Sequence, residues 1–176
     1  MSLETARLSL VPSTPEQLLA LIEEPRRFEQ LMGLPGGDEL SGFYRSGEVS
    51  PQWLAALRKA SGREPDPWRH GFFVVHRELA RVIGAAGYKG APDADGSVEI
   101  AYGIVPAYEG QGYATEAAAA LVTYAFGHGA KQVRAHTLPV ANASTHVLTK
   151  NGFQHVGSVV DPEDGPVWRW ERGEGR

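Results

Sequence analysis

The stretch Val98-Glu99-Ile100-Ala101-Tyr102-Gly103-Ile104-Val105-Pro106 runs directly into Ala107-Tyr108-Glu109-Gly110-Gln111-Gly112-Tyr113-Ala114-Thr115-Glu116-Ala117. Its first part alternates. Val98, Ile100, Tyr102 and Ile104 fall on one face of a strand, and Glu99, Ala101, Gly103 and Val105 on the other. Pro106 ends the strand. From 115 to 127 the period changes. Ala117 to Ala120 have the highest helix propensity, and Ala118, Leu121, Val122 and Ala125 form an apolar stripe that ends at Gly127 and Gly129. Between strand and helix lies a turn with small residues at 110, 112 and 114. Such a turn exposes backbone N–H groups at the positive end of a helix dipole, where phosphate binds without any Lys or Arg. A tight turn that merely caps the helix reads the same way. No G-x-x-x-x-G-K-[ST] string occurs. Gly110-Gln111-Gly112-Tyr113-Ala114-Thr115 has Thr at the third glycine of G-x-G-x-x-G and does not lie early in a βαβ unit, so a dinucleotide fingerprint is not met.

Outward from this segment, 7–11 alternates as a strand up to Pro12. Ser13 or Thr14 can cap a helix that starts at Pro15 and carries Leu18, Leu19, Leu21, Ile22, Phe28 and Leu31, with a break near Pro25. Residues 33–50 hold five glycines and predict a long mobile loop. A short helix follows over 51–59, then strands over 71–76 and 81–88. Beyond the central segment come a strand over 132–138 and a helix over 142–150 that stops at Asn151-Gly152. A closing hairpin spans 153–160 and 166–170. Strands interrupted by helices give a mixed α/β (α+β) fold with several hairpins, and 176 residues suit one domain spanning 1–176.

Composition narrows the chemistry. The chain has no cysteine, which excludes a disulfide scaffold, a cysteine nucleophile and a cysteine-ligated zinc or iron–sulfur site. The net charge of −4 argues against a nucleic-acid partner. The start of the chain lacks the pattern of a secretory leader, and the longest apolar stretch, 117–126, is too short for a bilayer, so a cytoplasmic protein without a membrane partner is expected. The six histidines show no metal-ligand spacing, so no metal is expected. Glycine is 21 of 176 residues, against an ordinary ~7%.

Four segments in order resemble the GNAT N-acetyltransferase superfamily, in the branch that includes ribosomal-protein N-terminal acetyltransferases. They are Glu4-Thr5-Ala6-Arg7-Leu8-Ser9-Leu10, the strand from Val98 to Ile104, Gly110-x-Gly112-Tyr113-Ala114-Thr115-Glu116-Ala117, and Asn142 to Phe153. The third, with the residues just before it, looks like the family's [QR]-x-x-G-x-[GA] loop, and the fourth looks like its N-x-x-S element, of which Ser144 matches the serine. The resemblance covers nearly the whole chain. It implies a largely antiparallel, twisted sheet of six to seven strands flanked by about four helices, with acetyl-CoA as co-substrate and an amine as acceptor. Dimers are common in the branch, so a homodimer is compatible with it. The implied cofactor-binding residues are Ile104, Val105, Gly110, Gln111, Gly112, Tyr113, Ala114, Thr115 and Asn142. Glu109 stands where the family often has Arg or Gln. Ala141 stands at the Asn of the N-x-x-S element, one residue before Asn142. Thr149 stands where many relatives carry a tyrosine acid.

Acetyl transfer needs a neutral amine, a polarised thioester carbonyl and a proton for the leaving thiolate. The backbone N–H groups of Ile104 and Val105 are candidates to polarise the carbonyl. Glu99 is the candidate base, beside the small Ala101 and Gly103; it also reads as a solvent-facing strand carboxylate. Ser144 resembles the serine that assists the thiolate in this branch; it also reads as a helix-start residue. Phe43, Tyr44 and Trp53 can line an acceptor cleft or pack beneath the 33–50 segment. Without cysteine, direct transfer is favoured over a cysteinyl intermediate. The alternatives left by the sequence are a degenerate CoA-binding module, a transferase of another acyl group and, more remotely, a nucleotide-binding protein.

Overall fold

The computed structural model describes residues 1–46 and 49–174. Its strands are β1 (Leu3–Glu4), β2 (Leu8–Pro12), β3 (Phe72–His76), β4 (Arg81–Tyr88), β5 (Ser97–Ile104), β6 (Gln132–Thr137), β7 (Gln154–Asp161) and β8 (Gly165–Gly173). Its helices are α1 (Pro15–Glu23), α2 (Pro25–Met32), α3 (Gly37–Ser46), α4 (Pro51–Ala60), α5 (Pro67–His70), α6 (Tyr113–Gly127) and α7 (Ala143–Lys150). The strands form one sheet in the order β1-β2-β3-β4-β5-β6-β8-β7. Every pairing is antiparallel except β5 with β6.

The mixed fold class is as expected, but eight strands and seven α-helices exceed the expected count. The largest correction is α3, which occupies 37–46 where a mobile loop was predicted. A distant side chain starts it: Glu29 Oε2 accepts from the N–H groups of Gly36 at 2.9 Å and Gly37 at 3.1 Å. Leu40 is fully buried, and Arg45 Nε donates to the Ile22 carbonyl at 3.1 Å. Tertiary burial thus outweighs the low helix propensity of Gly37 and Gly42. Gly47, also assigned to that loop, lies outside the described residues. The first helix begins as read. Thr14 caps it, reciprocated by Gln17, and Pro25 separates α1 from α2.

Around β2–β5 the sheet is covered on both faces. Phe72, Val74, Val98, Ile100 and Ile104 pack against Ala117, Ala118, Leu121 and Val122 of α6 and Leu148 of α7. Phe73, Val75, Val82 and Val105 pack against Leu18 and Leu21 of α1, Phe28, Leu40 and Leu57. Ala117 and Ala118 are completely buried, so their small side chains let α6 lie close to the strands. No helix among the described residues is long and apolar enough to cross a membrane.

Candidate active site

The site starts from a defect in the sheet. β5 and β6 pair over 97–99 and 132–134 only, although β5 continues to Ile104 and β6 to Thr137. The strands therefore part beyond Glu99. The backbone direction of β5 follows from its other neighbour. Lys89 N–H donates to the Glu99 carbonyl and Val105 N–H to the Ile83 carbonyl, each at 2.9 Å. Odd-numbered residues thus spend their backbone groups on β4, and the alternation of an antiparallel ladder turns those of Tyr102 and Ile104 toward the parting. Of the two expected carbonyl-polarising groups, Ile104 N–H faces the opening. Val105 N–H does not: it is already bonded, and its side chain is buried on the far face.

A cavity of about 740 Å³ opens at the end of β5, between that strand, the glycine turn and α7. It runs from Phe43 and the end of β5, past Tyr108 and the glycine turn, to the Ser144, His146, Val147 and Lys150 side of α7. Ile104, Gly110, Gly112, Tyr113, Ala114, Thr115 and Ser144 all line it, as does Glu109. Gly110 and Gly112 hold φ of +75° and +85°, the left-handed region open to glycine. Gly112 starts α6 with no side-chain cap, so the first-turn donors are left for a ligand. Lys150 adds a cationic group to the opposite wall, with the His146 imidazole one helical turn away.

Besides Val105, three sequence-read residues lie elsewhere. Gln111 is exposed, with its carbonyl engaged by Arg7. Asn142 Oδ1 accepts from Thr145 N–H at 3.0 Å while Thr145 Oγ1 accepts from Asn142 N–H at 3.0 Å, a reciprocal cap on α7. Asn142, not Ser144, therefore does the capping, and Ser144 is left facing the cavity. Glu99 lines neither this cavity nor its neighbour. Its carboxylate takes Lys89 Nζ at 2.9 Å and His136 Nδ1 at 3.1 Å, with its side chain 21% exposed. Arg169 Nε donates to His136 Nε2 at 3.1 Å, which fixes the ring with its proton on Nδ1, toward Glu99.

Sequence reasoning missed Arg7 and Glu116. Arg7 Nη1 donates to the Gln111 carbonyl at 3.0 Å, its Nε reaches Glu116 at 2.9 Å, and its guanidinium lies 4.3 Å over the Tyr113 ring. Glu116 also accepts from Arg7 N–H at 2.9 Å and Thr5 Oγ1 at 2.5 Å. These bonds tie the start of the chain to the back of the glycine turn. Burial raises the Glu116 carboxyl pKa, but the Thr5 and Arg7 bonds outweigh it and hold the group below its ordinary value. Both residues stand in quoted motifs; their pairing across more than a hundred residues has no local signal.

A second cavity of about 270 Å³ lies on the other side of β5. Gly71, Ala85, Gly87, Ala101 and Gly103 give it a floor of small residues, with Phe43 and Tyr44 as aromatic walls and Arg69 and His70 at its edge. Phe43 and Tyr44 thus line a cleft, while Trp53 stacks on Tyr44 behind it at 6.1 Å. Tyr102 borders both cavities. Its hydroxyl donates to the Ser144 carbonyl at 3.4 Å, and burial pushes its pKa up to about 12.

A family model described as the Acetyltransferase (GNAT) domain matches residues 7–154. No curated protein matches the sequence. Among solved structures, a GNAT-family acetyltransferase from Bacillus anthracis superposes with a TM-score of 0.67 at 18% identity, covering 100% of both chains. A ribosomal-protein-S5-alanine acetyltransferase from Vibrio fischeri gives 0.69 at 14% identity, covering 99% of this chain and 97% of the other. A ribosomal L7/L12 α-N-protein acetyltransferase, solved in complex with coenzyme A, gives 0.66 at 14% identity and 98% coverage of both. At these identities the likeness is one of fold.

Proposed function

The chain belongs to the GNAT acetyltransferase family, and from that premise we propose that it moves acetyl from acetyl-CoA to a primary amine by direct attack, with residues 1–176 acting as one domain. The observation that carries this reading is the meeting of the two cavities on β5, at Phe43, Tyr102 and Gly103. The larger cavity ends at an uncapped helix start suited to a pyrophosphate, and the smaller has a floor against which a slender amine fits. The amine nitrogen attacks the thioester carbon, the C–S bond breaks, and the amine proton leaves to a base. The N–H of Ile104, turned toward the parting, would bind the carbonyl oxygen as it gains charge, and that of Tyr102, about 7 Å away, is left for another acceptor of the ligand. The absence of cysteine supports transfer without a cysteinyl intermediate.

Tyr102 and Ser144 are the hydroxyls at the leaving-group side. Burial pushes the Tyr102 phenol up to about 12, above the ordinary thiol range, so Tyr102 holds its proton rather than giving it up to the thiolate. Tyr102 can serve the thiolate as a hydrogen-bond donor once its hydroxyl turns from the Ser144 carbonyl, which it meets at only 3.4 Å. Glu99 sits one strand repeat, ~7 Å, from Ala101 on the same face, and acts as base through a water.

An acetyl-CoA-dependent screen of peptide N-termini and small amines, read by free thiol, tests the reading. Amine-dependent thiol release is expected. Glu99→Gln is expected to lower kcat/KM about 10²-fold at neutral pH and to move the profile upward in pH. A protein that binds acetyl-CoA but releases no thiol with any amine overturns the transfer. An unchanged Glu99→Gln profile removes Glu99 as base.

A further inference from the structure

The two cavities share three lining residues, Phe43, Tyr102 and Gly103. Tyr102 and Gly103 belong to β5; Phe43 reaches the junction from α3. How closely it approaches can be read from Gly103. A β-carbon there would lie 2.4 Å from Phe43 Cζ and 2.7 Å from Cε1, distances that real contacts do not show. The ring therefore lies directly on the bare strand, in space that any side chain at 103 would take. An edge-on contact with Tyr44 at 6.4 Å holds it, and Tyr44 stacks in turn on Trp53. Yet 39% of Phe43 remains exposed. A large apolar side chain is thus laid on the strand where the cavities meet, with solvent on its outer side.

We infer that the Phe43 ring is a roof over the reaction point that excludes water from the thioester and admits the amine from the smaller cavity alone. This rests on the acetyl-transfer reading above. Water and amine are competing nucleophiles at one carbon. With water, a C–O bond forms, the C–S bond breaks, and acetate, CoA thiol and one proton result. With the amine, a C–N bond forms and the same C–S bond breaks. Both routes release thiol, so thiol release without any amine measures the leak alone. Covering the carbon suppresses the leak without touching the chemistry of transfer.

The probes are acetyl-CoA with no acceptor, and calorimetric titration of acetyl-CoA. Phe43→Ala is expected to raise acceptor-free thiol release about tenfold or more when each protein is saturated with acetyl-CoA at a concentration set from its own titrated Kd. Gly103→Ala is expected to raise it likewise, because its methyl displaces the far end of the ring from the strand. Since both substitutions remove one roof, the double variant leaks no faster than the leakier single. A Phe43→Ala protein that binds acetyl-CoA and leaks at the native rate overturns the roof, as does a double variant in which the two effects multiply. A native protein with no affinity for acetyl-CoA overturns instead the cofactor reading on which the roof rests.

Discussion

Glu116 shows how one carboxylate can carry both stability and site geometry. Three donors converge on it from Thr5 and Arg7, and Arg7 continues to the Gln111 carbonyl and the Tyr113 ring. Removing its charge leaves those donors poorly matched, and Glu116→Gln is expected to cost about 1–2 kcal/mol at neutral pH. The pH dependence has a definite sign. The folded-state pKa lies below the ordinary 4.5, so the unfolded chain takes up the proton first as pH falls. The stabilisation is complete above the ordinary value and is lost as pH drops through the folded one. In urea titrations, the gap between native and Glu116→Gln midpoints should be widest above the ordinary carboxyl range and close as pH falls below it. A constant gap would mean that the charge is not what the donors recognise.

At the scale of the element, α7 presents Ser144, His146, Val147 and Lys150 to the cavity, and its direction depends on its first turn. Asn142 and Thr145 cap that turn reciprocally, so the effect of Asn142 on the cofactor can be indirect. Asn142→Ala is expected to destabilise the protein by about 1 kcal/mol and raise KM for acetyl-CoA a few-fold. Asn142→Ser, which still offers an oxygen to the Thr145 N–H, should restore both. If Asn142→Ser keeps stability but not KM, Asn142 touches the cofactor itself. The same scale shows what the sequence could reveal. The β5–turn–α6 unit is legible because its period changes from two to 3.6 within one stretch and its glycines fall between. The break at Pro25 is legible because proline punctuates helices locally. By contrast, α3 is started by Glu29 and held by the burial of Leu40, and neither contact has a local signature. The pairing of Glu99 with His136 is hidden for the same reason. Periodicity puts the carboxylate on the right face but says nothing of the β6 side chain it meets two residues beyond its register partner.

Across the whole molecule, the pairing of 97–99 with 132–134 joins β1–β5 to β6, β8 and β7, while α6 and α7 bridge the halves on one face. The parting beyond it follows from the geometry of the sheet. Two parallel strands separate, leaving alternate groups of β5 unpaired toward a cavity of about 740 Å³. An extended ligand with amide groups can complete that edge as a further strand would. This gives a residue-resolved expectation for hydrogen exchange. In the free protein the amides of Tyr102 and Ile104 should exchange quickly, while that of Val105, bonded to Ile83, exchanges slowly. Saturation with acetyl-CoA should slow Tyr102 and Ile104 and leave Val105 nearly unchanged. At about 100 Kd the ligand should also stabilise the fold by about 2.7 kcal/mol. Gly112→Asp puts a carboxylate and a β-carbon where φ is +85° and Arg7 Nη2 lies 3.2 Å away. In that variant both the protection and the stabilisation should vanish. If Tyr102 and Ile104 are already slow without ligand, the parting is closed in solution and the cofactor must enter by another edge. If acetyl-CoA protects the 110–115 turn but not the strand, the phosphates dock there while the thioester end stays free of β5.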